Sequence, residues 1–467
     1  MKKNFLHWFF LIAFLAVSLP AFSTGIKIQF TVDGFKDTTA LIAYHFTDKQ
    51  YVSDTVKIDS RGRFVFERDT MLQGGIYMAV MPDQRYFEFL INGTETNFSL
   101  ETSKSDYIKN MKVRGSKENQ AFYEYLKYIT PKGREVEQRR RRMANADSEE
   151  KIDEIRAEIQ SIEKSVRDYR RDVAKKHNGT FLSNLLNAME EPEIPEVPEG
   201  EDPQMFRYQY YKTHFFDKVD FSDSRLLRTP IFHSKIVQYI ERLTPQHPDS
   251  LIQTADYLVE KARANKDIFR HVVVHITSTF ERHKIMGMDA VFVHMVENYY
   301  SGDQAFWMDE ARLLRIRDRA STLKPLLIGK KAQNIRLQDT NGNWHSLLDV
   351  DADYTVLYFW DPDCGHCRRS TPKLKTMYDE LNEDGVEIFA VTTERELEKW
   401  KNYVDEHNLN WINVADPDFR SNFRNHYDIN ATPVVFLLDE NKKIIAKNLG
   451  VEQLHEYLKR LIADKQQ

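Results

Sequence analysis

The sequence predicts a multidomain chain: an N-terminal all-β sandwich, a central all-α domain and a C-terminal α/β domain. Three observations lead there. Apolar and polar residues alternate from residue 24 to about 115, the period of half-buried strands. From 116 to about 325 apolar residues recur at steps of three and four, the period of amphipathic helices. From 326 to 467 continuous apolar runs alternate with helical stretches, as buried parallel strands and their connecting helices do.

Composition narrows the function classes. The 467 residues carry 66 Lys+Arg against 71 Asp+Glu, a net charge of −5, so the chain as a whole offers phosphates no basic surface. No nucleic-acid partner is expected. Only one long apolar run exists, Phe5 to Val17 broken by His7, which excludes a polytopic membrane protein. Lys2 and Lys3 precede that run, and Ala21 and Ser23 follow it as a small-x-small pair. Residues 1–23 therefore predict a signal peptide cut after Ser23, with an uncleaved anchor as the alternative. No cysteine lies nearby to be lipidated.

The strands come first. In residues 24–115, Ile26, Ile28, Phe30 and Val32 alternate with Lys27, Gln29 and Thr31, and Asp33-Gly34 turns the chain. Val56 and Ile58 lead through Ser60-Arg61-Gly62 to Phe64 and Phe66, a hairpin pattern. Tyr86 to Ile91, Asn92-Gly93 and Asn97 to Leu100 continue it, as in a small sandwich. These aromatics read as core. No cluster of acids, histidines or glycine loops marks a site among them.

The helices follow, in residues 116–325. Ile152, Ile155, Ile159, Ile162, Val166, Tyr169 and Val173 form a heptad stripe, which predicts a coiled-coil arm over 150–175. Such an arm packs within its own chain or pairs with a second subunit, and the former is favoured. Arg139 to Arg142 is followed by Asp147, Glu149 and Glu150, the pattern of a solvated face. Residues 190–203, acidic and proline-rich, predict an exposed loop. His271 and His275 are spaced to share a helix face, but Val272 stands where a zinc peptidase has Glu, so no metal is expected.

The C-terminal elements surround the chain's two cysteines. Tyr354 to Trp360 is a buried-strand run that feeds Cys364-Gly365-His366-Cys367, and a helical pattern follows to Leu381. Val386 to Val391 predicts a second strand, Leu397 to His407 a helix, and Val434 to Leu438 a third strand. Ile444 to Ala446 completes a hairpin, and Gln453 to Ile462 a last helix. With only Cys364 and Cys367 present, neither a structural disulfide elsewhere nor a four-cysteine zinc site can form. In an exported chain, two thiols placed together point to redox chemistry.

This order of elements resembles the thioredoxin fold. Pro372, five residues after Cys367, and Thr432-Pro433 before the third strand match that family's helix proline and its threonine and cis-proline. The helix between Val391 and Trp411 resembles the insertion of TlpA/ResA-type envelope proteins. More weakly, residues 24–115 and 116–325 resemble uncharacterised β and helical domains that precede such modules in bacterial envelope proteins.

The resemblance implies that Cys364 is the nucleophile and Cys367 the resolving thiol. It also implies that the backbone around Thr432 and Pro433 holds an extended substrate segment. Residue chemistry agrees: a helix N-terminus stabilises a thiolate at Cys364, and His366, if protonated or donating, adds to it. Asp361 and Asp363 oppose it, with Arg368 or Arg369 able to offset one of them.

The sequence departs from the family in three places. Asp363 replaces the usual Trp, Tyr358 stands where thioredoxins keep a buried Asp, and Ser370 stands where ResA-like reductases have Glu. Glu394 and Glu396 are then the remaining candidates for a general base. Gly365-His366 is the dipeptide of protein disulfide isomerases, and the opposing charges predict a potential of roughly −270 to −180 mV.

The function expected is thiol–disulfide exchange in the periplasm or cell envelope of a bacterium, without a cofactor and in the reductase or isomerase direction. Its partners would be exported proteins carrying disulfides or thiols, and a membrane-bound electron donor. Two alternatives stand beside it: a peroxiredoxin-like redoxin, which a vicinal cysteine pair disfavours, and a non-enzymatic envelope scaffold whose redox module is vestigial or regulatory.

Overall fold

The structure, a computed structural model, describes residues 25–466. The expected signal peptide lies outside them. Two compact units divide the chain, one ending at Val237 and the other beginning at Gln238.

The first unit opens with β1 (Ile26–Asp33), β2 (Thr38–Phe46), β3 (Lys49–Ile58), β4 (Arg63–Arg68), β5 (Gly75–Val80), β6 (Tyr86–Ile91), β7 (Asn97–Ser103) and β8 (Lys112–Arg114). They form two four-stranded sheets, ordered β4-β1-β7-β8 and β3-β2-β5-β6. Alternation on β1 buries Ile26, Ile28, Phe30 and Val32, and Phe30 stacks on Phe64 with ring centroids 4.6 Å apart. The sandwich expected from the period-two pattern is there. Reading by alternation overlooked β2, β5 and β8. Gly75–Val80 is buried at almost every position, so β5 shows no alternation to read.

Helices α1 (Lys117–Ala144), α2 (Glu149–Lys176), α3 (Phe181–Ala188) and α4 (Pro203–His214) follow, and the division between the units falls within α5 (Pro230–Arg242). Ser116 caps α1 by accepting the Asn119 N–H at 3.1 Å. Asn119 then ties the helix to the sandwich: its amide oxygen accepts the Leu90 N–H at 2.7 Å and its amide nitrogen donates to the Leu90 carbonyl at 2.8 Å. The heptad stripe faces α1, burying Ile155, Ile159, Ile162 and Val173, while Tyr169 packs on Tyr128. Arg139 and Arg140 pair across the hairpin with Glu158 at 2.7 Å and Glu163 at 3.4 Å, so the basic run is a solvated, ion-paired face. One correction concerns the acidic segment. Its first residue, Glu190, is buried, held by Arg171 at 2.7 Å and Arg170 at 3.4 Å, because an enclosed carboxylate needs partners. Residues 191–202 are largely exposed.

The second unit contains α6 (Pro248–Ala262), α7 (Lys266–Glu281), α8 (Asp289–Tyr299) and α9 (Glu310–Leu323), then β9 (Arg336–Asp339), β10 (Trp344–Ser346) and β11 (Tyr354–Trp360). After them come α10 (Gly365–Leu381), β12 (Val386–Thr392), α11 (Leu397–Glu406), β13 (Ile412–Ala415) and α12 (Phe423–His426). β14 (Val434–Leu438), β15 (Ile444–Lys447) and α13 (Val451–Lys465) close the chain. The seven strands run β10-β9-β13-β12-β11-β14-β15, with β11 parallel to β12 and antiparallel to β14. This is the expected thioredoxin fold, with β9, β10 and β13 added to the strands read from the sequence. Those three are only three or four residues long, too short for a pattern to emerge.

β11 explains why the site sits where it does. Val356, Tyr358 and Trp360 enter the core beneath α10 and α13, while Leu357 and Phe359 enter the opposite core with Phe389, Tyr427 and Phe436. Both faces are buried, so the run is continuously apolar. Gly385, at φ +83, makes the turn into β12, where a side chain would meet Asp353. Helices and sheet are joined by a buried ion pair: Lys447 Nζ binds the Asp289 carboxylate and donates to the Leu326 carbonyl at 2.6 Å. Arg319 on α9 pairs with Asp428 at 2.5 Å.

Candidate active site

The end of β11 delivers the chain to a tight turn built by Asp361. Its carboxylate accepts the Asp363 N–H at 2.8 Å and the Thr393 hydroxyl at 3.0 Å, and its carbonyl accepts the Cys364 N–H at 3.1 Å. Asp361 is thus spent on shaping the turn. Cys364 is the N-cap of α10, with extended backbone and a sulfur that accepts the Cys367 N–H at 3.4 Å. That is the capping position, where a side chain receives one of the helix's unpaired N–H groups.

The two thiols differ sharply. Cys364 is half-buried; Cys367, one turn on, is fully buried beside Tyr358, Trp360 and Leu374. Burial pushes against ionisation at Cys364 but is outweighed by hydrogen bonding from the Thr432 side chain and from the Cys367 and His366 backbone, so its pKa falls below the ordinary thiol value. At Cys367 burial dominates, reinforced by the Cys364 sulfur, and its pKa is pushed up to about 12. Thr432 and Pro433, joined by a cis peptide bond, face this pair, and Cys364 Sγ donates to the Thr432 carbonyl at 3.2 Å. The structure therefore brings Cys364, Cys367, Thr432 and Pro433 together.

The tuning residues differ from expectation in three respects. Arg369, whose guanidinium can only donate, donates to His366 Nδ1 at 2.9 Å, so the ring is engaged along the surface of α10. Asp363 does not stand as a bare negative charge beside the thiol. Lys399 of α11 binds its carboxylate, Arg368 pairs with it at 3.1 Å, and its pKa is lowered, chiefly by Lys399. Of the two arginines, only Arg368 reaches Asp363. Glu394, a candidate base, is locked as a carboxylate: it accepts the Glu396 and Arg395 N–H groups and pairs with Lys399 at 3.3 Å, which lowers its pKa. Glu396 is the exposed residue before α11. Gly365 is exposed, and the Ser370 hydroxyl donates back to the His366 carbonyl at 2.9 Å.

Two residues of the site escaped the sequence reading. Thr371 is fully buried, and its hydroxyl meets that of Tyr358 at 3.1 Å; helical spacing from Cys367 was signal enough to find it. Lys399 lies 36 residues from Asp363, and no local pattern links them. Among the described residues no group of three or more His, Cys, Asp or Glu is arranged for a metal; His271 and His275 stack on each other with centroids 6.0 Å apart. No helix of the described residues is long and apolar enough to cross a membrane.

Comparison with known proteins finds three matches along the chain. Residues 351–444 match a family described as thioredoxin-like. Residues 146–324 and 26–122 match two domains of unknown function, DUF5106 and DUF4369. The thiol-disulfide oxidoreductase ResA of Bacillus thuringiensis subsp. konkukian is 31% identical over 137 residues, 29% of this chain and 78% of that protein. ResA of Halalkalibacterium halodurans is 30% identical over 136 residues, 29% of this chain and 76% of that protein. Among solved structures, a domain of a "possible thiol-disulfide isomerase" from Cytophaga hutchinsonii is 41% identical, covering 30% of this chain and 97% of that one, with a TM-score of 0.29. Through its C-terminal domain, the chain belongs to the ResA family of thioredoxin-like thiol–disulfide oxidoreductases.

Proposed function

We propose that the protein exchanges disulfides with exported proteins outside the cytoplasm, through Cys364 and Cys367, in the reducing or isomerising direction. The observation that carries this is the asymmetry of the pair: an accessible thiol held at a helix N-terminus, and a buried thiol one turn inward. The Cys364 thiolate attacks one sulfur of a substrate disulfide, forming a mixed disulfide and releasing the other sulfur as a thiolate. Cys367 then gives up its proton and attacks Cys364 Sγ, releasing the second substrate thiol and closing the Cys364–Cys367 disulfide. The substrate gains two electrons from the cysteine pair and two protons, one given up by Cys367 and one taken from water. A dithiol donor, such as a membrane-bound one, must then return the pair to its reduced form.

Export is supported by the basic, apolar and small-residue pattern of residues 1–23. The reducing or isomerising direction is supported by a Cys364 thiolate that is stabilised by hydrogen bonds and opposed by burial, with no cation paired to the sulfur among the described residues. Insulin reduction by the wild type and by Cys364→Ser and Cys367→Ser tests the assignment. Loss of turnover in Cys364→Ser is expected, together with mixed disulfides trapped on Cys364 in Cys367→Ser and identified by mass spectrometry. Turnover that survives in Cys364→Ser, or adducts formed on Cys367 in that variant, would overturn it.

A further inference from the structure

On the Pro433 side of the thioredoxin-like domain, the second unit contains a cleft of about 590 Å³, within the roughly 300–1,000 Å³ of ligand clefts. One wall belongs to the thioredoxin-like domain: Ala431, Pro433 and Val434, with Leu449 and Gln453 at the start of α13. The opposite wall is the connection between α7 and α8, residues 282–287, backed by Leu323 of α9. Pro433 adjoins Thr432, the residue that touches Cys364 Sγ, so the cleft begins one residue from the sulfur's partner.

The helical wall is fixed in place. Lys447 holds Asp289 at the start of α8, the Lys447 N–H meets Met286 Sδ at 3.3 Å, and Arg319 holds Asp428 in the loop that leads to Pro433. These ion pairs occupy four of the charged side chains that line the cleft. Arg282 and Lys284 remain, both exposed, and neither has a carboxylate partner or a hydrogen bond among the described residues. Glu281 is the lining carboxylate outside an ion pair, and the His283 ring is engaged by the Ile285 N–H at 3.2 Å. Beside the two cations, Ile285 is 51% and Met286 37% exposed, a pair of apolar side chains on the wall of the cleft.

We infer that this cleft binds the extended stretch of substrate polypeptide flanking the cysteine under attack, with an acidic side chain against Arg282 and Lys284 and an apolar one against Ile285 and Met286. The inference rests on the exchange activity proposed above. An extended segment advances about 3.3 Å per residue and sends alternate side chains to one side. A cysteine docked at Cys364 therefore carries its neighbours past Thr432 and Pro433 into the cleft. A free anion would match the two cations but leave the apolar rim unused; a polypeptide uses both. The helical region would thus supply substrate selectivity to a redox module that otherwise contacts only backbone and sulfur.

Two fluorescent decapeptides test this, each with Ser in place of a central Cys, one flanked by Asp and Leu and the other by Lys and Leu. Anisotropy titration of the full-length reduced protein at low salt should show the acidic peptide binding about fivefold more tightly. Arg282→Glu/Lys284→Glu should reverse the preference, and the milder Arg282→Gln/Lys284→Gln should abolish it. Disulfide-linked dimers of the corresponding Cys peptides, followed by kcat/KM, should rank in the same order. Equal affinities with both dimers reduced would overturn the cleft assignment and leave the exchange activity standing. A retained affinity difference with neither dimer reduced would do the opposite. Sedimentation showing that a second copy of the chain occupies the cleft would also overturn the assignment.

Discussion

Lys399 on α11 pairs with Asp363, the residue directly before Cys364, and with Glu394 at 3.3 Å. α11 thus returns a cation to the place where a negative charge would oppose the thiolate. Lys399→Ala should leave Arg368 as the only counter-charge and raise the Cys364 pKa. The expected readout is slower iodoacetamide alkylation at pH 7, by less than about tenfold because the pair is solvent-exposed and screened. A more negative redox potential should accompany it, since a less stable thiolate makes the disulfide less oxidising. An unchanged rate would mean that Arg368 alone neutralises Asp363.

The two thiols should separate cleanly in a pH profile. A thiol with a lowered pKa ionises earlier as pH rises, so alkylation of Cys364 should climb through a midpoint below the ordinary value of about 8.5 and then level off. Cys367, pushed up to about 12, stays a thiol throughout the neutral range and should remain unlabelled until the protein unfolds. Mass spectrometry of each cysteine peptide checks both limbs.

Tyr358 occupies the buried position beneath the pair, with its hydroxyl against Thr371 at 3.1 Å. Burial drives its phenol pKa well up, so it is not a base at neutral pH. Tyr358→Phe should keep insulin reduction within about twofold of wild type and lose about 1 kcal/mol of stability, the worth of one neutral hydrogen bond. A fall in rate of tenfold or more, with mixed disulfides accumulating on Cys364, would instead assign the hydroxyl to handling the Cys367 proton.

The stripe on α2 is covered by α1, so the arm has little apolar seam left for a second subunit. Ile159→Asp buries a carboxylate in that seam and should destabilise the first unit by about 3 kcal/mol or more. Sedimentation should show the same mass for variant and wild type. A dimer in the wild type that this substitution dissociates would restore self-association through the arm.

The sequence by itself determined what periodicity and covalent spacing can encode. Ile26 to Val32 alternate because one face of β1 meets the core, and Tyr354 to Trp360 run unbroken because both faces of β11 do. Cys364, Cys367 and Pro372 are set by their spacing along one helix, and Thr432-Pro433 by its place before β14. Short or uniformly buried strands such as β5 and β13 carry too few residues, or too little contrast, to be read in this way.

Only the tertiary structure decided the charges around the sulfur. Asp363, His366 and Glu394 each looked available in one dimension, and each is taken up by a partner: Lys399, Arg369, and Lys399 with two backbone N–H groups. It also decided that residues 282–287 share a cleft with Pro433, about 150 positions away in the chain. Periodicity reports which face of an element is buried; it carries no information on which distant element buries it. Electrostatics and clefts are made by those distant meetings, so they belong to the folded chain.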